Sequence, residues 1–149
     1  MNLETKRILL VEDTMQDAEL ALEALAEHNL TDAIVHARDG AQALDYLHRR
    51  GNFAGRPAGN PVLIILDLKL PKIDGIEVLQ ELRSDEHLKH IPVVVLTSSR
   101  EERDLETCYR LGVNAYVVKP VDFASFMATV KALGFFWALV NEPPPRSLG

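Results

Sequence analysis

Glu12, Asp13, Asp67, Thr97 and Lys119 are the residues of this chain best suited to chemistry, because each stands at the end of a short apolar run. Glu12 and Asp13 follow Ile8-Leu-Leu-Val11, Asp67 follows Pro61-Val-Leu-Ile-Ile-Leu66, Thr97 follows Val93-Val-Val-Leu96, and Lys119 follows Ala115-Tyr-Val-Val118. Continuous apolar runs of this length suit buried parallel strands, and open α/β sheets bind ligands at the carboxyl ends of their strands. Three carboxylates gathered there repel one another and need a cation or a shared proton. A hard divalent ion meets that need. Mg2+ fits best, since it keeps several waters and completes its shell with phosphate oxygens. Asp67 is then free to attack a phosphoryl group as a nucleophile and form an acyl phosphate. The ion and the Lys119 ammonium would neutralise the oxygens in transit, and Thr97 can donate its hydroxyl to them.

The elements that must position these groups alternate along the whole chain. Strands are expected at 7–11, 33–37, 62–66, 92–96 and 114–118, and helices at 16–28, 41–50, 75–84, 100–111 and from Asp122 onward. Asp39 is placed to cap the second helix. Five strands interleaved with five helices imply an α/β, doubly wound parallel sheet with right-handed crossovers. The order 2-1-3-4-5 would bring strands 1, 3 and 4 together at the switch point. Residues 1–141 read as one domain and 142–149, with three consecutive prolines, as a flexible tail. The connection Gly51–Asn60 is long and rich in Gly and Pro, which suits a flexible surface loop; a tolerated insertion and a contact surface are both open readings.

Composition excludes several functions. A chain of 149 residues has room for one ordinary domain. A net charge of −6 and a pI near 5.3, with Lys69, Lys72, Lys89 and Arg100 scattered among acids, argue against nucleic acid. The one cysteine, Cys108, excludes a disulfide framework and reads as a small half-buried residue. The apolar run before Glu12 is too short for a signal peptide or a membrane span, so the cytoplasm is the expected location, with no membrane partner. Asp17 and Asp74 favour helix-start and turn roles. His87 and His90 read as a solvated face, and His28, His36 and His48 suggest no phosphohistidine.

The ordered fragments resemble the bacterial two-component response-regulator receiver domain. Leu10-Val-Glu-Asp13 matches its acidic pair, Leu66-Asp-Leu-Lys-Leu-Pro-Lys-Ile-Asp-Gly75 its phosphoacceptor loop, Leu96-Thr-Ser98 its hydroxyl position and Lys119-Pro120 its lysine before a cis-type proline. The resemblance implies a flavodoxin-like fold in which Asp67 takes a phosphoryl group from a sensor histidine kinase. It makes Asp13 and Asp67 direct Mg2+ ligands, Glu12 a ligand through water, and Lys69 a ligand through its backbone carbonyl. Glu12 stands where many members have Asp, which leaves direct and water-mediated coordination both open. Thr97 and Tyr116 match the switch pair. Lys69 and Ser99 flank the path of hydrolytic water. No enzymatic turnover of external substrates is implied, only self-phosphorylation from phosphodonors and self-dephosphorylation. Two alternatives stand beside it: an Mg-dependent aspartyl-phosphate hydrolase, against which Lys69 stands where a second acid is needed, and an inactive pseudo-receiver adaptor, against which the intact site stands.

The chain is also similar to single-domain regulators that partner bacterial phytochromes, through residues 84–97 and 115–123 and the aromatic end of its last helix. This implies a phytochrome kinase as partner, and output through protein contacts. Along that helix Phe123, Phe126, Met127, Val130, Leu133 and Trp137 suit a face packed on the sheet, while Phe135, Phe136 and Leu139 project from the other side. A second apolar face suits a homodimer interface. The alternative is that the helix unwinds after Gly134 and folds its aromatics back.

Overall fold

The computed structural model describes residues 6–145; the first five residues of the expected domain and the 146–149 part of the expected tail lie outside them. Five parallel strands, β1 (Ile8–Val11), β2 (Ile34–Ala37), β3 (Leu63–Leu66), β4 (Val93–Thr97) and β5 (Ala115–Val118), pair in the order 2-1-3-4-5. The helices are α1 (Met15–Ala26), α2 (Gly40–His48), α3 (Gly75–Ser84), α4 (Glu102–Arg110) and α5 (Phe123–Gly134), the last continuing as a π-helical segment, Phe135–Val140. This is the doubly wound parallel fold expected from the alternation of apolar runs and amphipathic stretches.

Alternate strand residues face opposite layers. Leu9, Val11, Ile64, Leu66, Val93 and Val95 pack with α2, α3 and Cys108 of α4. Ile8, Leu10, Leu63, Ile65, Val94 and Leu96 pack with α1 and α5. Both faces of β1, β3 and β4 are therefore buried, which is why these strands carry no polar residue before their last position. Register aligns their ends: Val11 lies opposite Leu66, Leu66 opposite Val95, and Thr97 opposite Val118. Glu12, Asp67, Thr97 and Lys119 thus leave the sheet along one edge.

Caps set where the helices begin. Asp39, Asp74 and Asp122 accept the backbone N–H groups of Gln42, Glu77 and Ser125 at 2.8, 3.0 and 2.8 Å. Asp74 therefore has the helix-start role expected of it. Residues 142–145 follow the last helix without regular structure.

Four expectations need correction. Residues 51–60 are pinned rather than loose: the Arg56 guanidinium lies 4.1 Å from the Tyr46 ring centre and donates to the carbonyls of Tyr46, Pro57 and Gly59 at 2.7–3.0 Å. A planar fork with five donors can satisfy several loop carbonyls at once, and Phe53 adds an edge contact to the same ring. Cys108 is fully buried rather than half-buried. Burial, with Asp104 nearby, pushes its thiol up to about 11, which suits an inert core residue. Phe123 does not pack on the sheet; as the first residue after the Asp122 cap it points outward and is 59% exposed. No peptide bond among the described residues is cis, so Lys119–Pro120 is trans, the isomer that X–Pro bonds intrinsically favour.

The last helix does not unwind at Gly134. Phe126, Val130, Gly134 and Ala138 are buried along one side, and a side chain at Gly134 would collide with Leu25 of α1, so glycine permits the close approach there. Lys131 pairs with Glu27 at 2.7 Å. Phe135, Phe136, Leu139 and Val140 stay 41–52% exposed. Residues 123–140 are long and apolar enough to cross a membrane by length and composition alone; the face packed on the sheet accounts for part of that composition and the exposed aromatics for the rest.

Candidate phosphoacceptor site

The site is built from strand ends. Glu12 and Asp67 are buried at 4% and 6% exposure, and Asp13 is exposed. One carboxylate oxygen from each of the three lies within 4.8 Å of the others, which is the separation a single small cation can bridge. Glu12 also accepts the Thr14 N–H at 3.1 Å, a contact that holds its side chain toward the site. Burial raises the Glu12 carboxyl to about 7, with the Asp67 charge adding to the rise and the Lys119 hydrogen bond opposing it.

Lys119 answers the negative charge. Its ammonium reaches Glu12 Oε1 at 2.8 Å, Asp17 Oδ2 at 2.8 Å and Asp67 Oδ2 at 2.9 Å. Burial works against the ammonium, but the three carboxylates outweigh it and hold Lys119 above the ordinary lysine range. The three donors of the ammonium are matched by three acceptors.

The hydroxyl side of the site is a small network. Thr97 is fully buried, and its Oγ1 accepts the Ser99 N–H at 3.3 Å. Ser99 donates its own hydroxyl to Asp104 at 2.6 Å and accepts the Tyr116 hydroxyl at its carbonyl at 3.0 Å. Lys69 donates its backbone N–H to Asp67 Oδ1 at 3.4 Å, and its ammonium lies 3.9 Å from Asp104. The structure thus brings together Glu12, Asp13, Asp67 and Lys119, and joins Thr97 to Tyr116 through Ser99.

Two residues escaped the sequence reading. Asp17, assigned a helix-start role, lies in the first turn of α1 but turns its carboxylate to Lys119. Its place in the first turn of the helix that follows the Glu12-Asp13 strand end was the available signal. Asp104 had none, because its role depends on where α4 meets the Thr97 loop.

Residues 8–131 match the response regulator receiver domain family. The chain belongs to that family. Among curated receiver-domain relatives, it is 42% identical to the probable methanogenesis regulatory protein FilR2 of Methanothrix harundinacea over 92% of this chain and 86% of the relative. It is 41% identical to the response regulator Rcp1 of Synechocystis over 89% of this chain and 88% of that one; Rcp1 has also been solved in a Mn2+-bound form. The phosphorylated cyanobacterial phytochrome response regulator RcpA superposes with a TM-score of 0.87 at 44% identity, covering 94% of this chain and 99% of RcpA. The bacteriophytochrome response regulator RtBRR shares 59% identity with a TM-score of 0.74, covering 95% and 86%. Receiver domains of this family are signalling proteins, and phytochrome-associated regulators are among this chain's relatives.

The residues fit the divalent cation that the family implies. All three carboxylates offer hard oxygen donors within reach of one ion, and the Lys119 ammonium balances part of their charge where no ion is bound.

Proposed function

We propose that this chain is a phosphorylation switch in which Asp67 accepts a phosphoryl group from the phosphohistidine of a sensor kinase. The observation that carries the reading is the Asp67–Lys119 pair at 2.9 Å, set within the carboxylate cluster at the carboxyl edge of the sheet. Asp67 Oδ attacks phosphorus as the bond from phosphorus to the kinase imidazole breaks, and the imidazole leaves with the electron pair. The product is an acyl phosphate on Asp67. Lys119 pairs with the phosphoryl oxygens, and Thr97 donates its hydroxyl to one of them. Glu12, Asp13, Asp67 and the Lys69 carbonyl would hold Mg2+, which when bound neutralises charge on the transferring oxygens.

Residues 1–141 act as one receiver domain and 142–149 as its tail. Likeness to RcpA, Rcp1 and RtBRR favours a phytochrome kinase as donor and a cytoplasmic setting. Output runs through protein association, with Phe135, Phe136 and Leu139 as the contact between two copies of this chain.

Incubation with Mg2+ and acetyl phosphate or phosphoramidate adds one phosphoryl mass, and Asp67→Asn abolishes the addition, because the amide is a poor nucleophile. Equal labelling of the two proteins by intact mass would sink the assignment. Transfer from a phosphorylated phytochrome kinase faster than from an unrelated kinase tests the partner.

A further inference from the structure

Of the three carboxylates that hold the Lys119 ammonium, two have other duties. Glu12 and Asp67 belong to the group able to hold a cation, and Asp67 is the atom donor for the acyl phosphate. Asp17 has neither duty. It stands on α1, outside that group, and its 2.8 Å contact to Lys119 uses neither of the carboxylates that would change partners during phosphoryl transfer. Lys119 is only 9% exposed at its side chain and Asp17 27%, so the contact is largely shielded from water.

We propose that Asp17 is a positioning residue for phosphoryl transfer: it keeps the Lys119 ammonium over Asp67 while Glu12 and Asp67 exchange Lys119 for the cation and the phosphoryl group. The proposal rests on the reading of Asp67 as phosphoacceptor. A lysine is a compact charge on a flexible four-carbon stem, so an ammonium that loses two of its three partners needs the third to stay in register. Asp17 supplies a fixed one from the first turn of a helix whose Ala18, Ala21, Ala24 and Leu25 are buried.

The competing effect has the opposite sign. A carboxylate this close to an incoming phosphodonor repels it, so if Asp17 acted only through its own charge its removal would speed phosphorylation. If Asp17 acts by holding Lys119, removal slows it. The direction of the rate change decides between them.

The full chain is phosphorylated by phosphoramidate at saturating Mg2+ and followed by intact mass, as wild type, Asp17→Asn, Asp17→Ala, Asp17→Glu, Lys119→Ala and the Asp17→Asn/Lys119→Ala pair. Asp17→Asn and Asp17→Ala are each expected to be roughly tenfold slower, the scale of one misplaced charge-assisted contact, and Asp17→Glu to recover most of the rate. In the Lys119→Ala background the Asn change should matter by less than about twofold, since it then has no partner through which to act. In a labelled sample carrying Mg2+ and beryllium fluoride, where Glu12 and Asp67 no longer hold the ammonium, the 1H–15N signal of the Lys119 ζ-ammonium should be protected from exchange in wild type and lost in Asp17→Asn; equal protection in the two overturns the proposal. An unchanged or faster rate in both single variants, or equal slowing in the Lys119→Ala background, overturns the proposal while leaving Asp67 as acceptor. A wild type that takes no phosphoryl group overturns the reading of Asp67 and this inference with it.

Discussion

The Tyr116 hydroxyl on β5 donates to the Ser99 carbonyl at 3.0 Å, and the N–H of the same residue, Ser99, is held by Thr97 Oγ1 at 3.3 Å. One loop residue therefore joins the hydroxyl nearest the site to an aromatic side chain on the edge strand. A Thr97 hydroxyl drawn toward a phosphoryl group on Asp67 gives up Ser99, and the loop that holds Tyr116 loses a restraint. The Ser99–Asp104 bond at 2.6 Å would carry the same movement into the start of α4.

Thr97→Ala should still take phosphate but should weaken this coupling. With beryllium fluoride as the phosphoryl mimic, the wild-type Tyr116 ring resonances should shift and the Thr97→Ala resonances should shift much less. A full wild-type shift in the variant would show that the path avoids Thr97.

Glu12 should make cation binding pH-dependent. Its folded-state carboxyl is raised from 4.5 to about 7, so between those values the folded protein holds a proton that the unfolded chain has released. Its contribution to cation-free stability is fully present below pH 4.5 and is lost as pH rises through about 7. A cation must displace that proton, so Mg2+ should bind more tightly at pH 8 than at pH 6 and should release protons at the lower pH. Glu12→Gln should flatten both trends in calorimetric titration. Asp13→Ala should remove the Mg2+-induced rise in melting temperature that mass action otherwise produces.

Gly75 lets α3 sit against the Asp67 loop. Its N–H donates to the Leu68 carbonyl at 2.9 Å, and an added Cβ would lie 2.6 Å from Leu68 Cα and closer still to the Asp67 carbonyl. Gly75→Ala should therefore destabilise the fold by about 1–3 kcal/mol through overpacking and slow phosphorylation, because the atom that must give way belongs to Asp67. Urea denaturation together with labelling by mass checks both. A loss of stability with an unchanged labelling rate would detach the packing from the chemistry.

Phe135, Phe136 and Leu139 leave apolar surface exposed at one end of the last helix. Each side chain buried between two copies would contribute about 1.5–3 kcal/mol, and a shared patch would pair them two-fold. Phe135→Asp with Phe136→Asp should give a folded monomer that still accepts phosphate. Sedimentation of the wild type as a monomer at high micromolar concentration, with and without phosphorylation, would refute the interface.

The sequence by itself determined the order and type of the elements. The apolar runs that close on Glu12-Asp13, Asp67 and Thr97 suit strands buried on both faces, the run before Lys119 forms the half-buried edge strand β5, and parallel pairing sends all four carboxyl ends to one edge. Local chemistry was equally legible at Asp39, Asp74 and Asp122, because a cap is decided within a few residues. Tertiary structure alone decided the contacts between distant segments. Asp17 meets Lys119 across 102 positions of sequence, and whether its carboxylate turns to solvent or to the site depends on the docking of α1 against α5. Arg56 fastens a loop whose composition suggests looseness, since its guanidinium finds carbonyls and an aromatic face that only the folded chain brings within reach. Phe123 and Phe126 share one helical pattern, yet the position of the Asp122 cap turns Phe123 outward and Phe126 into the core. Periodicity states which faces a helix has, and only packing against the sheet states which of them is buried.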